Sequence, residues 1–212
     1  GEDGIEEIKN PISKPKLCTN HHWEDILSGT WRDGKDGLKP LDIHVMYHSH
    51  SATLNQTNNV NKGIQAHRKV DFVVTNHYTF TPEAQFSDVV LPVTTPWEKD
   101  GEVLQGNREA LIWTEKVIEP YFEAKDDAWI AEEIAKRLGV DPELANPISN
   151  EQRCFNIIAS STVVKDNGKD YENLVSITVD DLDKLGVKGA IQQGRIPIME
   201  LKKKGIYQVE RK

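Results

Sequence analysis

Histidines are the residues of this sequence best suited to metal or acid–base chemistry, and all seven lie within the first 77 residues. His48 and His50 are one residue apart and follow a predicted strand, so both side chains would lie on one face of it. Imidazole nitrogens in such a pair can bind zinc or a related metal, but a complete site needs further ligands that the spacing does not supply. One hypothesis is therefore a small α/β metal-dependent hydrolase that uses His48 and His50. The simpler interpretation is polar histidines in a loop.

The other reactive residue types suggest no catalytic site. The 34 aspartates and glutamates outnumber the 26 lysines and arginines and give a net charge of −8, yet no spacing among them marks a catalytic pair. Phosphate-loop, dinucleotide-loop, nucleophile-elbow and zinc-helix motifs are absent from the sequence. Cys18 and Cys154 lack metal-ligand spacing, and two free thiols are expected, with a disulfide between them as the alternative. The preferred interpretation assigns no catalytic residue and no metal ligand to this chain, and the acidic balance argues against a nucleic-acid partner.

Short apolar segments that alternate with helical patterns indicate the secondary structure that would hold the histidines and carboxylates in place. They predict an α/β fold, a three-layer sandwich with a mostly parallel sheet, over residues 41–145. Residues 1–40 are expected to form an irregular lead-in with a short helix, and residues 146–212 a helical and loop extension. Strands are predicted near residues 43–47, 71–75 and 88–92. Helices are predicted at residues 59–69, 81–86, 126–138, 150–160, 178–185 and 197–204.

Several stretches within residues 53–138 resemble a known family when they are taken in order. They are TLNQTNNVNK, VDFVVTNHYTFTPEAQFSDVVLPVTTPWEKDG and GNREALIWTEKVIEPYFEAKDDAWIAEEIAKRLGV. TPEAQFSDVVLP is similar to the Thr-x-x-Ala-x-x-Ala-Asp-x-x-Leu-Pro pattern of the molybdopterin oxidoreductases of the dimethyl sulfoxide reductase family. Two further features follow in the same order as in the family. The first is a glutamate, here Glu98, and the second is a segment with aspartate and tryptophan that precedes a helix. The resemblance is to an internal domain of the catalytic subunit.

That resemblance implies a cofactor and four residues that contact it. The family binds molybdenum through two molybdopterin guanine dinucleotides, and residues at the positions of Asn76, His77, Lys99 and Asp127 touch one of them. Asn76 and His77 would lie at the carboxyl edge of the sheet, where open α/β sheets bind nucleotides. Lys99 would pair with a phosphate, and Asp127 would accept two N–H donors of the guanine edge. The family usually has aspartate at the position of His77, and histidine can donate as well as accept a hydrogen bond.

The resemblance also implies a larger parent enzyme. The cysteine cluster that binds an iron–sulfur centre and the segment that carries the molybdenum ligand are not found in this sequence, so an excised domain, inactive by itself, is expected. The parent would reduce an S-oxide, an N-oxide or an oxyanion. Its expected partners are the remaining domains of the catalytic chain, an iron–sulfur electron-transfer subunit and a membrane anchor, and the parent would be bacterial. A non-catalytic structural relative of the same fold is the alternative within the family.

Overall fold

The chain forms two compact units, which we describe separately. The computed structural model describes residues 15, 17–18, 20–33, 37–49, 52–101, 103–106 and 110–208. The parallel-sheet unit comprises Ile8–Val93 and Phe122–Asp127, and the carboxy-terminal unit comprises Gly1–Glu7, Thr94–Tyr121 and Ala128–Lys212. No helix of the described segments is both long enough and apolar enough to cross a bilayer. The domain boundaries expected after residues 40 and 145 stay predictions.

The parallel-sheet unit is built around three parallel strands in the order β3-β4-β5, a sheet that confirms the predicted α/β class. Its elements, in chain order, are α1 (His22–Ser28), β1 (Thr30–Arg32), β2 (Leu38–Pro40), β3 (Val45–Ser49), α2 (Thr53–Gln56), α3 (Val60–Lys69), β4 (Phe72–His77), α4 (Pro82–Gln85) and β5 (Val89–Pro92). The three strands predicted from short apolar runs are therefore present in one sheet, and each begins one or two residues later than predicted.

Helices cover one face of this sheet. Met46 and Val73 are register partners that point to that face, where they join a core completed by residues of α1, α2 and α3. This core comprises Trp23, Ile26, Met46, Leu54, Ala66, Val70 and Val73. Helix α3 approaches closely at Gly63, where a Cβ atom would lie 2.4 Å from the Leu54 side chain. Glycine at this position therefore allows the helix to pack directly on the core.

The opposite face of the sheet exposes apolar side chains. Val45 and Phe72 are register partners with 58% and 41% of their surfaces exposed, and Tyr47 and Val89 continue the same face. We call these four residues the open sheet face. Within the described part of the parallel-sheet unit there is one helical layer, so the second layer of the predicted sandwich is not seen in this unit.

The carboxy-terminal unit has its own hydrophobic core. Its described strands form two small sheets and one hairpin. Its elements, in chain order, are β6 (Val103–Gly106), β7 (Ala110–Trp113), α5 (Asp127–Arg137, whose first residue belongs to the parallel-sheet unit), α6 (Pro142–Ala145), α7 (Asn150–Ser160), β8 (Thr162–Val164), β9 (Tyr171–Asn173), β10 (Val175–Ser176), α8 (Val179–Leu185), β11 (Ile196–Pro197), α9 (Ile198–Lys204) and β12 (Ile206–Gln208). Strand β7 lies between β6 and β12, and both pairings are antiparallel. Phe155, Ile158 and Leu201 are buried at the centre of the core.

Several predictions about secondary structure are confirmed, and some elements were missed. Helices α3, α5, α7, α8 and α9 lie where the patterns predict them. Residues 31–32 and 38–40, which were expected to be irregular, instead belong to the paired strands β1 and β2. The described residues 146–208 contain five short strands. Strands of two or three residues are too short to show the alternation that identifies a strand in a sequence. Cys18 and Cys154 are free thiols, as predicted, with Cys18 exposed and Cys154 buried.

Candidate functional site

Three of the four predicted contact residues lie in the parallel-sheet unit. Asn76 and His77 are the last two residues of β4, paired in register with Leu91 and Pro92 of β5. Since the strands are parallel, their carboxyl ends meet at one edge of the sheet, which is where ligands bind in open α/β folds. Asp127, the first residue of α5, belongs to this unit as well.

Asn76 connects two side chains that are distant in sequence. Its Nδ2 atom donates a hydrogen bond of 2.6 Å to the Tyr47 hydroxyl oxygen and lies 3.5 Å from Oδ1 of Asp127. The Asn76 side chain is buried, and its Oδ1 atom has no hydrogen-bond partner in the described structure. A buried carbonyl oxygen without a donor is costly, so this atom can gain free energy by accepting a hydrogen bond from a ligand.

Tyr47 is part of this cluster and was not identified from the sequence. Partial desolvation of its hydroxyl group raises the pKa of the phenol, the hydrogen bond from Asn76 opposes this shift, and the nearby Asp127 carboxylate adds to it, so the hydroxyl stays protonated. The only sequence signal was the strand alternation that places Tyr47 on the same side as Asn76 in the neighbouring strand. This pattern gives the face of the sheet but does not show which polar atoms meet.

Thr79 fixes the tautomer of the neutral His77 ring. The backbone N–H of Thr79 donates to Nδ1 of His77 at 3.0 Å, and the Thr79 hydroxyl lies 2.9 Å from the same nitrogen. Because Nδ1 accepts this hydrogen bond, the proton of the neutral ring is on Nε2. His77 therefore presents an N–H donor at the sheet edge, in contrast to the acceptor that an aspartate would supply.

Lys99 lies in the carboxy-terminal unit, in a turn organised by Glu98. The buried Glu98 carboxylate accepts hydrogen bonds from the backbone N–H groups of Thr95, at 2.7 Å, and Tyr121, at 2.9 Å. These bonds lower the pKa of Glu98 and keep it ionised. The turn that carries Lys99 is thereby tied to Tyr121. The meeting of Lys99 with Asn76, His77 and Asp127 stays a prediction.

The TPEAQFSDVVLP motif has a structural role in the parallel-sheet unit. Thr81 caps α4 by accepting from the Ala84 N–H, and Pro82 occupies the first position of that helix. Asp88 accepts a hydrogen bond of 2.8 Å from the Val73 N–H, while the Ser87 hydroxyl lies 2.7 Å from that of Thr75. The motif therefore fixes α4 and the start of β5 against β4, and so positions the strand end that carries Asn76.

The carboxyl end of β4 and the start of α5 carry polar groups of both kinds, acceptors and a donor. Asp127 supplies a carboxylate acceptor, Asn76 supplies a buried carbonyl acceptor, and His77 supplies a ring N–H donor.

Comparison with known proteins assigns the family. A family model described as molybdopterin oxidoreductase matches residues 31–137, half of the chain. The chain belongs to the molybdopterin oxidoreductase family and, within it, to the dimethyl sulfoxide reductase type, as the resemblance implied. Proteins of this family use a molybdenum–pterin cofactor.

Three relatives illustrate the similarity. The chain is 33% identical over 104 residues to the trimethylamine-N-oxide reductase of Haemophilus influenzae, 28% identical over 168 residues to the dimethyl sulfoxide reductase DmsA of Escherichia coli, and 38% identical over 87 residues to the probable oxidoreductase YyaE of Bacillus subtilis. The alignments cover 48%, 73% and 41% of this chain, but 13%, 20% and 13% of the respective relatives. The chain thus spans a fifth or less of the length of these relatives.

Proposed function

We propose that this chain is the part of a molybdenum oxidoreductase that binds the guanine end of one molybdopterin guanine dinucleotide. The observation that carries this proposal is the cluster at the end of β4, where Asn76 has a buried acceptor atom and lies 3.5 Å from the Asp127 carboxylate. In this proposal Asp127 accepts the N–H donors of the guanine edge and Asn76 accepts a further hydrogen bond.

The remaining predicted residues have supporting roles. His77 donates its Nε2 proton to an oxygen of the nucleotide, and Lys99 pairs with a phosphate through its ammonium group. Bound molybdenum supplies the two-electron oxygen-atom transfer, and the residues of this chain bind and orient the cofactor. The parent enzyme reduces an S-oxide, an N-oxide or an oxyanion, and it acts with the other domains of its catalytic chain, an iron–sulfur subunit and a membrane anchor. The isolated chain is inactive.

The test is the molybdenum content of the purified parent enzyme. Asp127→Ala and Lys99→Ala are expected to lower bound molybdenum at least severalfold, because each removes a charge-assisted contact to the nucleotide. Asp126→Ala is the matched control, since it removes a neighbouring carboxylate and should leave the content unchanged. Full molybdenum content in both variants would show that the assigned contacts are wrong.

The isolated chain allows a second measurement. Free guanosine diphosphate should bind with a dissociation constant on the order of millimolar, because one unit offers only part of the contacts and must offset the loss of translational freedom. Affinity should fall as salt is raised, since the phosphate contact is electrostatic. Equal affinity for adenosine diphosphate would contradict recognition of the guanine edge.

A further inference from the structure

A buried cluster of metal-ligating side chains lies on the helical side of the parallel sheet, on residues that the proposed function does not use. His48 lies on β3, His67 on α3 and Glu83 on α4, and their side chains are almost completely buried. Each residue offers one ligand atom, and these atoms all lie within 4.8 Å of one another. The cluster joins three elements that are well separated in sequence.

Each residue of the cluster has a buried polar atom that is not satisfied. His67 donates from Nδ1 to the Gly63 carbonyl oxygen at 2.7 Å, so its Nε2 atom carries the lone pair of the neutral ring. Nε2 of His48 and Nε2 of His67 have no hydrogen-bond partner in the described residues. Oε1 of Glu83 lies 2.8 Å from Nδ1 of His48, but the contact is not aligned as a hydrogen bond, and Oε1 is unsatisfied as well.

Three such atoms in one buried place indicate a missing ligand. Buried polar atoms without partners cost free energy, and native proteins retain few of them. Two imidazole nitrogens and a carboxylate oxygen are a ligand set that Zn²⁺ and related divalent ions prefer. The second nitrogen of His67 is fixed by a backbone carbonyl group, as is common for metal-bound histidines, and the second oxygen of Glu83 accepts from the Thr53 N–H at 2.7 Å.

We propose that His48, His67 and Glu83 bind a divalent transition-metal ion of the Zn²⁺ type. This ion is separate from the molybdenum of the cofactor, and it ties β3, α3 and α4 together on the covered face of the sheet. Because the site is buried, its role is to stabilise the parallel-sheet unit, and a metal-bound water completes the coordination.

Binding requires a small rearrangement of the ligands. The imidazole rings of His48 and His67 are nearly parallel, with centroids 5.0 Å apart and an interplanar angle of 11°. A metal lies in the plane of each ring that binds it, so at least one ring must rotate about its Cβ–Cγ bond. Ligand atoms around a tetrahedral zinc ion are about 3.3 Å apart, given bonds of about 2.0–2.1 Å. The three ligand atoms, which lie within 4.8 Å of one another, would therefore adjust to this spacing when the metal binds.

The sequence indicated only one of these ligands. His48 was considered with its neighbour His50, which lies outside the described residues, and no metal ligand was expected in this chain. His67 and Glu83 lie 19 and 35 residues further along, on different helices. Only the packing of those helices on the sheet brings them to His48.

The test is metal titration of the full 212-residue chain after treatment with a chelator. Co²⁺ should produce the d–d absorption of a low-symmetry site, and Zn²⁺ should bind at one ion per chain and raise the melting temperature. His67→Gln and Glu83→Gln should each weaken Zn²⁺ binding at least tenfold. His21→Gln removes an exposed histidine of the same unit and should have no effect.

Absence of saturable binding by the wild-type chain would overturn the proposal, as would folded His67→Gln and Glu83→Gln proteins that bind Zn²⁺ like the wild type. If a variant does not fold, the imidazole ¹⁵N NMR signals of the wild-type chain show which histidines bind Zn²⁺. Zn²⁺ must then shift the Nε2 resonances of His48 and His67, and shifts confined to other histidines would reject the site. Failure of this metal site would leave guanine nucleotide binding at the sheet edge untouched, so the two proposals are tested separately.

Discussion

Tyr47 and Asn76 show how one hydrogen bond sets the chemistry of the sheet edge. The amide of Asn76 directs its nitrogen toward Tyr47, and its oxygen is therefore left as the acceptor available to a ligand. A residue type in the sequence does not reveal this orientation, because either end of a free amide could face a ligand. The direction follows from a partner 29 residues away in the chain.

We predict that Tyr47→Phe lowers both stability and nucleotide affinity. The change leaves the Asn76 Nδ2 donor without its 2.6 Å acceptor, and the free energy of unfolding should fall by about 1–2 kcal/mol. Urea denaturation measures the loss, and titration with guanosine diphosphate measures the affinity. Tyr171→Phe is the control, since Tyr171 is exposed in the carboxy-terminal unit. Equal stability and affinity of Tyr47→Phe and wild type would show that the hydroxyl does not orient Asn76.

At the scale of elements, the turn between β5 and β6 depends on a buried carboxylate. Glu98 receives hydrogen bonds from two backbone N–H groups that lie 26 residues apart in the sequence, those of Thr95 and Tyr121. The resemblance marked Glu98 as part of a pattern without giving it a role. Its contacts indicate that it organises the turn that carries Lys99.

We predict that Glu98→Gln destabilises the chain in a pH-dependent manner. The pKa of Glu98 is lowered in the folded state by these hydrogen bonds, so the carboxylate stabilises the fold fully above its ordinary value of 4.5. That contribution is lost as the pH falls through the lower, folded value. The free energy of unfolding of the variant should be lower than that of the wild type by about 2 kcal/mol at pH 7. This difference in free energy should become smaller below pH 4.5.

Urea denaturation at a series of pH values measures this effect. Glu119→Gln is the control, because Glu119 is an exposed partner of Lys116 and its loss should change stability by less than about 1 kcal/mol. A difference between Glu98→Gln and wild type that stays constant down to pH 3.5 would reject the role of ionised Glu98.

The sequence predicted elements better than it predicted contacts. Helix α5 has a clear apolar repeat ending near Gly139, and β4 is a short buried run, so both were found from local patterns. The 3.5 Å approach of Asn76 to Asp127 was expected from the family resemblance, not from spacing. The role of His67 as a metal ligand and the strands of two or three residues were not predicted. Their partners are set by tertiary packing, which leaves no periodic pattern in the local sequence.

At the scale of the whole molecule, the open sheet face is an exposed apolar surface of the parallel-sheet unit. Val45 and Phe72 are register partners on adjacent strands, whereas Tyr47 and Val89 lie on either side of the buried Val74. Each of the four residues of the open sheet face has more than a third of its surface exposed. Contiguous apolar patches usually mark surfaces that contact other protein. This face is consistent with the proposal that other domains of a parent chain accompany this one.

We predict that the folded chain binds a hydrophobic fluorescent dye through this face. A Val45→Thr, Phe72→Thr double variant removes apolar surface from paired positions and should reduce dye fluorescence at least twofold while the circular dichroism stays unchanged. Val179→Thr, on the exposed α8 of the other unit, is the control and should have little effect. If the folded wild-type chain does not enhance dye fluorescence, the face is covered in solution.

The pairing of β7 with β12 has a consequence for how the protein is made. Strand β7 ends at Trp113 and β12 begins at Ile206, so the central strand of this sheet leaves the ribosome long before its second neighbour is synthesised. If β7 pairs with β6 before then, the backbone N–H and C=O groups along its other edge have no strand partner. Such an unpaired edge can join strands of other chains. Translation rate and chaperone occupancy over this interval should therefore influence the yield of folded protein more than the final stability does.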